Sequence, residues 1–165
     1  MQSFLVIGVS MNLLFVDFDN VLFVPEFKGK GVGMLQDEWI AWCVRYGNSS
    51  YKDSRPVSFM KEYLESRKNM SKMYVLTAVA SSYEANVKRF MCNKYYEDLF
   101  SEFIAVGNSE DKLKIIKYLS EKEHCSFNKC ELIEDDYTLL LKANEMGIIC
   151  THIAKVASIM YNLKK

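Results

Sequence analysis

The sequence predicts an α/β protein: a Rossmann-like, doubly wound parallel sheet with a small helical insertion after the first strand. Three observations carry that expectation. Short apolar runs such as Met11–Val16, Met73–Leu76 and Phe103–Val106 alternate with longer segments whose apolar residues recur at helical spacing. A short run that is apolar at every residue reads as a strand covered on both faces, as parallel strands are. Polar and charged residues gather in the segments that follow those runs, at Asp17, Thr77, Lys112 and Glu134. A parallel sheet collects its ligand contacts outside the carboxyl ends of its strands.

Taken in order, Ser3–Val9 is an apolar run that reads as an extra strand or an extension, with Met11 an alternative start. Leu13–Val16 is the first buried strand, and it runs into Asp17-Phe18-Asp19-Asn20. Lys28-Gly-Lys-Gly-Val-Gly33 follows Pro25 as a flap; it lacks P-loop spacing. Leu35, Trp39, Trp42, Cys43 and Tyr46 mark a helix that Gly47 stops, and the two tryptophans are read as core. Asn48–Arg55 is polar and loop-like, and Pro56 is expected to open a second helix carrying Val57, Met60, Tyr63 and Leu64. Met73–Leu76 is a strand ending at Thr77, and Ser81-Ser-Tyr-Glu84 is a capping box opening a helix to about Tyr95. Phe103–Val106 is a short strand, with Ser109 as the expected N-cap that places Lys112 at the third position of the next helix. Glu131–Glu134 is a strand ending in acids, followed by a helix through Leu139, Leu140, Ala143 and Met146 that Gly147 closes. Ile148–Ile153 and Val156–Leu163 are the last strand and helix.

The 165 residues, half of them hydrophobic, suit one domain spanning 1–165, with residues 24–56 as a flap or cap insertion within it. The charge balance of 21 acidic against 21 basic residues leaves no broad footprint for nucleic acid or an anionic membrane. Five cysteines at irregular spacing fit a reducing compartment, so a cytoplasmic protein is expected. His124, Cys125 and Cys130 lack a fourth soft ligand at suitable spacing. Met1–Val9 has no basic leader, and no stretch reaches membrane-spanning length.

Residues i and i+2 leave the same side of an extended chain, so the Asp17 and Asp19 carboxylates lie close together. Two such charges need a cation or a shared proton, although Asp-x-Asp-Asn is also an ordinary solvated turn. The other strand ends decide between these. Carboxylates at Asp17, Asp19 and Glu134–Asp136, a hydroxyl at Thr77 and an ammonium at Lys112 converge on one crevice and make a site for Mg²⁺ and a phosphoryl group. With no P-loop in the chain, an aspartate nucleophile forming an aspartyl-phosphate is the economical chemistry.

These residues resemble the haloacid dehalogenase-like (HAD) phosphohydrolases over most of the chain. Asp17-Phe18-Asp19 resembles the first motif of that superfamily, Thr77 the second, Lys112 the third and Glu134-Asp135, followed by Asp136, the fourth. The resemblance implies that Asp17 attacks phosphorus and that Asp19 protonates the leaving oxygen and then activates water. It implies that Thr77, Ala78, Lys112 and Asn20 contact the substrate, with Lys112 also steadying Asp17. It assigns Mg²⁺ to Asp17, Asp19 (through its backbone carbonyl), Asp135 and Glu134. Asn20 stands where the family often has Gly, and the acidic cluster begins with Glu, which leaves the principal ligand open among Glu134, Asp135 and Asp136.

Response-regulator receivers share Asp, Thr, Lys and Mg²⁺, but in another order along the chain. The resemblance implies a nearly capless phosphomonoesterase acting on a small phosphorylated metabolite or on a phosphate exposed on a macromolecule, a polynucleotide end included. No membrane partner is expected, and an oligomer could enclose the site. A phosphotransferase or mutase of the same fold, and a non-catalytic HAD-like binding module, are the alternatives.

Overall fold

The computed structural model describes residues 11–25 and 35–165. The Ser3–Val9 run and the 28–33 flap lie outside them. A five-stranded sheet of order β5-β4-β1-β6-β7, parallel throughout, organises the chain. Its strands are β1 (Asn12–Val16), β4 (Ser71–Ala78), β5 (Glu102–Val106), β6 (Cys130–Glu134) and β7 (Ile149–His152). A separate antiparallel ribbon joins β2 (Phe23–Val24) to β3 (Arg55–Pro56). The helices are α1 (Gln36–Tyr46), α2 (Met60–Arg67), α3 (Ser82–Tyr96), α4 (Asp111–Lys122), α5 (Tyr137–Glu145) and α6 (Ile153–Asn162).

Strand alternation sorts the core into two layers. Leu14, Val16, Met73, Val75 and Ile133 point to one side, where Met60 and Leu64 of α2, Val87 and Met91 of α3, and Val156 and Met160 of α6 pack. Leu13, Phe15, Tyr74, Leu76 and Leu132 point to the other, onto Ile116 and Leu119 of α4 and Leu139, Leu140 and Ala143 of α5. Both faces of β1 are therefore covered, which is why its residues from Leu13 to Val16 are all apolar and buried. The doubly wound parallel sheet is the expected fold.

The chain leaves β1 for β4 and β5 on one side, then crosses to β6 and β7 on the other. Strand order thus reverses between β1 and β6, and open parallel sheets bind ligands at such a switch point. Val16 lies opposite Val75 on β4 and Ile133 on β6. Asp17 and Glu134 are the next residues on neighbouring strands.

Several boundaries differ from the sequence reading. Pro56 does not open a helix: it pairs with Phe23 in the ribbon, and the N–H of Val57 donates to the carbonyl of Leu22 at 2.9 Å. A two-strand ribbon tolerates a residue with no donor of its own, and α2 starts at Met60. Helix α4 begins at Asp111, whose N–H donates to Asn108 Oδ1 at 3.0 Å, so Lys112 is the second helical residue and Ser109 is not the cap. Helix α6 starts earlier than expected, at Ile153, because His152 Nδ1 accepts the N–H of Ala154 at 3.1 Å. At α3 the Ser81 hydroxyl accepts the N–H of Glu84 at 3.2 Å as a capping box requires, but Glu84 Oε2 accepts from Ala80 instead of Ser81.

Candidate active site

The turn after β1 is built around Phe18. Its carbonyl accepts the N–H groups of Leu22 and Phe23, each at 3.0 Å, and its ring stacks on Phe23 with centroids 4.7 Å apart. With Phe18 anchored in the core, the residues on either side of it are left for the sheet edge. The side chains of Asp17 and Asp19 then part company, each taken by a different buried lysine.

Lys112 Nζ lies 2.8 Å from Asp17 Oδ1 and 2.7 Å from Glu134 Oε2. All three side chains are buried. Glu134 Oε1 accepts the N–H groups of Asp135 and Asp136 at 3.2 and 3.4 Å, which holds the carboxylate at the strand end. Asp17, Glu134 and Asp135 bring ligand oxygens within 4.8 Å of one another. Burial, and after it the Asp17 charge, push the Glu134 carboxyl up to about 9 against the opposing pull of Lys112. Burial also opposes the charge on Lys112, but Asp17 and Glu134 outweigh it and raise its pKa.

Asn20 occupies the left-handed region at φ +57° and donates Nδ2–H to Asp135 Oδ2 at 2.9 Å. Asparagine is one of the few side-chain-bearing residues that adopts this backbone readily, so it meets the conformational need that Gly would meet and adds a hydrogen bond. Asp136 is the N-cap of α5, its Oδ1 accepting from Thr138 and Leu139 at 2.9 and 3.3 Å. That use sets it apart from Glu134 and Asp135.

The Asp19 carboxylate stands outside this acidic cluster. Its Oδ2 is 2.6 Å from Lys88 Nζ, and its Oδ1 accepts from the Tyr51 hydroxyl at 3.3 Å. Lys88 also lies 2.8 Å from Glu84 Oε1 and donates to the Ala78 carbonyl at 3.0 Å and to Thr77 Oγ1 at 3.2 Å. Trp39 Nε1–H donates to Glu84 Oε2 at 2.9 Å and the Tyr51 hydroxyl to Glu84 Oε1 at 3.0 Å. Burial raises the pKa of Asp19, with Lys88 opposing and Asp17 adding to the rise. Burial likewise works against the charge of Glu84, but Lys88 outweighs it and lowers the pKa.

The predicted residues therefore fall into two adjoining groups: Asp17, Asn20, Lys112, Glu134 and Asp135 in one, Asp19, Thr77 and Ala78 in the other. Sequence reading missed what holds the second group together, namely Lys88, Glu84 and Tyr51. A signal existed. Glu84 and Lys88 share the buried stripe of α3 with Val87, Met91, Cys92 and Tyr96, and a charged pair within an apolar stripe is unusual. A hollow of about 280 Å³ opens beside them, lined by Asp19, Trp39, Ala78, Val79, Glu84 and Gly107 among others.

The residues present fit a hard divalent cation. Asp17 Oδ1 is buried and ion-paired yet has no well-angled hydrogen bond, and the carboxyl groups of Asp17, Glu134 and Asp135 converge as hard oxygen ligands of the kind such a cation takes. Among the described residues no comparable group of histidines or cysteines occurs, and no helix is long and apolar enough to cross a membrane.

No family model and no curated protein matches the chain. Solved structures match its fold. A haloacid dehalogenase-like family hydrolase from Streptococcus pneumoniae aligns at a TM-score of 0.58 and 16% identity, covering 86% of this chain and 83% of that one. A HAD-superfamily hydrolase of subfamily IA from Geobacter sulfurreducens aligns at 0.57 and 14% identity, over 87% of each chain. A HAD family enzyme from Bacteroides thetaiotaomicron, solved with magnesium and inorganic phosphate, aligns at 0.55 and 14% identity, over 86% of this chain and 93% of that one. The protein has the fold of the HAD-superfamily hydrolases.

Proposed function

We propose that this chain is a Mg²⁺-dependent phosphohydrolase of the HAD superfamily, releasing phosphate from a monoester through an aspartyl-phosphate on Asp17. The observation that carries the reading is the buried Lys112 ammonium between Asp17 and Glu134, at 2.8 and 2.7 Å, where strand order reverses. The magnesium and phosphate bound by the Bacteroides enzyme of the same fold add to it.

Asp17, Glu134 and Asp135 would hold the cation, with the Asp19 backbone carbonyl as the further ligand that the motif implies. When bound, Mg²⁺ neutralises charge on the transferring phosphoryl group and on the carboxylates around it. Lys112 orients the Asp17 carboxylate and opposes the charge that builds on the phosphoryl oxygens. Asn20 fixes Asp135 by its amide. Asp19 is the acid and base for the leaving oxygen and for water. Thr77 and Ala78 form the floor beside Lys88, and the hollow next to Asp19 receives the leaving group. Trp39 lines that hollow, and Tyr51 bonds Asp19 and Glu84 beside it. A small phosphorylated metabolite and a phosphate exposed on a macromolecule are both compatible with it.

The test is phosphate release from p-nitrophenyl phosphate by the purified protein, with Mg²⁺ and then with EDTA. Metal-dependent release that is lost in Asp17→Asn is the expected result. Release that persists in Asp17→Asn would overturn the assignment of the nucleophile.

A further inference from the structure

Lys88 is a fully buried cation, 0% exposed, that the chemistry above does not use. Its stem runs between aromatic walls, with Nζ 5.3 Å from the Phe18 ring centroid and 5.7 Å from that of Tyr51. An ammonium has three hydrogens. Here they meet Asp19 Oδ2 at 2.6 Å, Glu84 Oε1 at 2.8 Å, and the neighbouring Ala78 carbonyl and Thr77 hydroxyl at 3.0 and 3.2 Å. The head group is thus fixed in direction as well as in place. Stability alone does not account for it, because a buried ion pair is commonly replaceable by apolar side chains at no cost.

The consequence falls on Asp19, whose two oxygens are made unequal. Oδ2 is taken by a cation at 2.6 Å, whereas Oδ1 has the Tyr51 hydroxyl at 3.3 Å, and that hydroxyl is closer to Glu84. Asp19 is the more accessible partner of the pair, its side chain 34% accessible against 0% for Lys88. A carboxyl whose Oδ2 already accepts from an ammonium carries its proton on Oδ1.

We propose that Lys88 is a positioning residue that makes Oδ1 of Asp19 the proton-transfer atom of the site, a reading that rests on the phosphohydrolase function above. In the first half-reaction an Asp17 oxygen bonds to phosphorus while the bond from phosphorus to the leaving oxygen breaks. That oxygen keeps the electron pair and takes the proton from Asp19 Oδ1. In the second, Asp19 Oδ1 takes a proton from water and the water oxygen bonds to phosphorus. The bond from phosphorus to Asp17 then breaks with its electron pair on Asp17. Glu84 anchors Lys88 from behind and ties it to Trp39 and Tyr51 of the 24–56 insertion.

The test compares the wild type with the charge-matched double variant Lys88→Met/Glu84→Gln, using phenyl phosphate and 2,4-dinitrophenyl phosphate in the presence of Mg²⁺. The first substrate needs a proton on its leaving oxygen and the second does not. The variant should lose on the order of 100-fold in kcat/KM on phenyl phosphate, with KM little changed, and lose far less on the dinitrophenyl ester. With that ester it should also release a stoichiometric burst of dinitrophenolate, because the Asp19 base that serves removal of phosphate from Asp17 is no longer held in position. Equal losses on both substrates without a burst would overturn the assignment, and so would no loss on either. A wild type inert on both esters would instead overturn the phosphohydrolase reading beneath it. Should the double variant fail to give a cooperative thermal transition, Lys88→Gln/Glu84→Gln, which keeps polar side chains and the net charge but removes the ammonium from Asp19, carries the same comparison with the same expected direction.

Discussion

Asn20 donates its side-chain amide to Asp135 Oδ2 at 2.9 Å, so a residue four positions past the β1 carboxyl end orients an acid on the loop after β6. Its backbone sits at φ +57°. The two properties separate by substitution. Asn20→Gly keeps the backbone comfortable and removes the bond; Asn20→Ala removes the bond and adds about 1–2 kcal/mol of backbone strain. Both variants should bind Mg²⁺ more weakly, about tenfold by the usual effect of removing a support behind a ligand, as read by calorimetric titration. Asn20→Ala should be clearly less stable to urea than Asn20→Gly.

Lys112 is the sole ammonium placed against Asp17 and Glu134 among the described ion pairs. Removing it leaves buried carboxylates without their partner, a change that costs about 3–5 kcal/mol. Lys112→Met should therefore lower the urea midpoint strongly in metal-free buffer. Saturating Mg²⁺ should raise that midpoint more in the variant than in the wild type, since the cation supplies the missing charge.

Glu134 gives the metal-free protein a pH dependence of definite sign. Its carboxyl ionises near 4.5 in an unfolded chain and is pushed up to about 9 in the fold, first by burial and then by Asp17. The folded state holds the proton more tightly, so this contribution to stability is full below pH 4.5 and is lost as pH rises towards 9. Without metal, the melting temperature should decline across that window, and Glu134→Gln should flatten the decline. Mg²⁺ binding at pH 7 should release protons, which calorimetry in buffers of different ionisation enthalpy measures.

The central strand and the sites at the sheet edge were legible because of how parallel strands are buried. Leu13–Val16 is apolar on both faces, so the first carboxylate after it stands out, and the same holds for Thr77 after Met73–Leu76. Lys88 was not legible for an equally physical reason. Glu84 and Lys88 are four residues apart on a helix, the usual spacing of a solvated ion pair, and only their apolar neighbours on α3 tell otherwise. Tyr51, buried and bonded to Asp19 and Glu84, lies in the otherwise polar run Asn48–Arg55 and carries no periodic signal. Pro56 misled because local preference favours a helix start, whereas a long-range pairing with Phe23 decided the outcome.

The acidic run Glu134-Asp135-Asp136 offers three carboxylates, and the structure divides their work. Glu134 faces Lys112, Asp135 faces Asn20, and Asp136 turns back onto the first N–H groups of α5 at 2.9 and 3.3 Å. A side-chain N-cap of this kind is worth about 1 kcal/mol. Asp136→Ala should accordingly lose roughly that much stability while leaving Mg²⁺ affinity near the wild-type value, and Asp136→Ser should recover most of the loss because a hydroxyl also caps. Asp135→Asn should do the reverse, keeping stability and weakening Mg²⁺ binding. If Asp136→Ala weakened Mg²⁺ binding as much as Asp135→Asn, the division of roles between these two neighbours would be wrong.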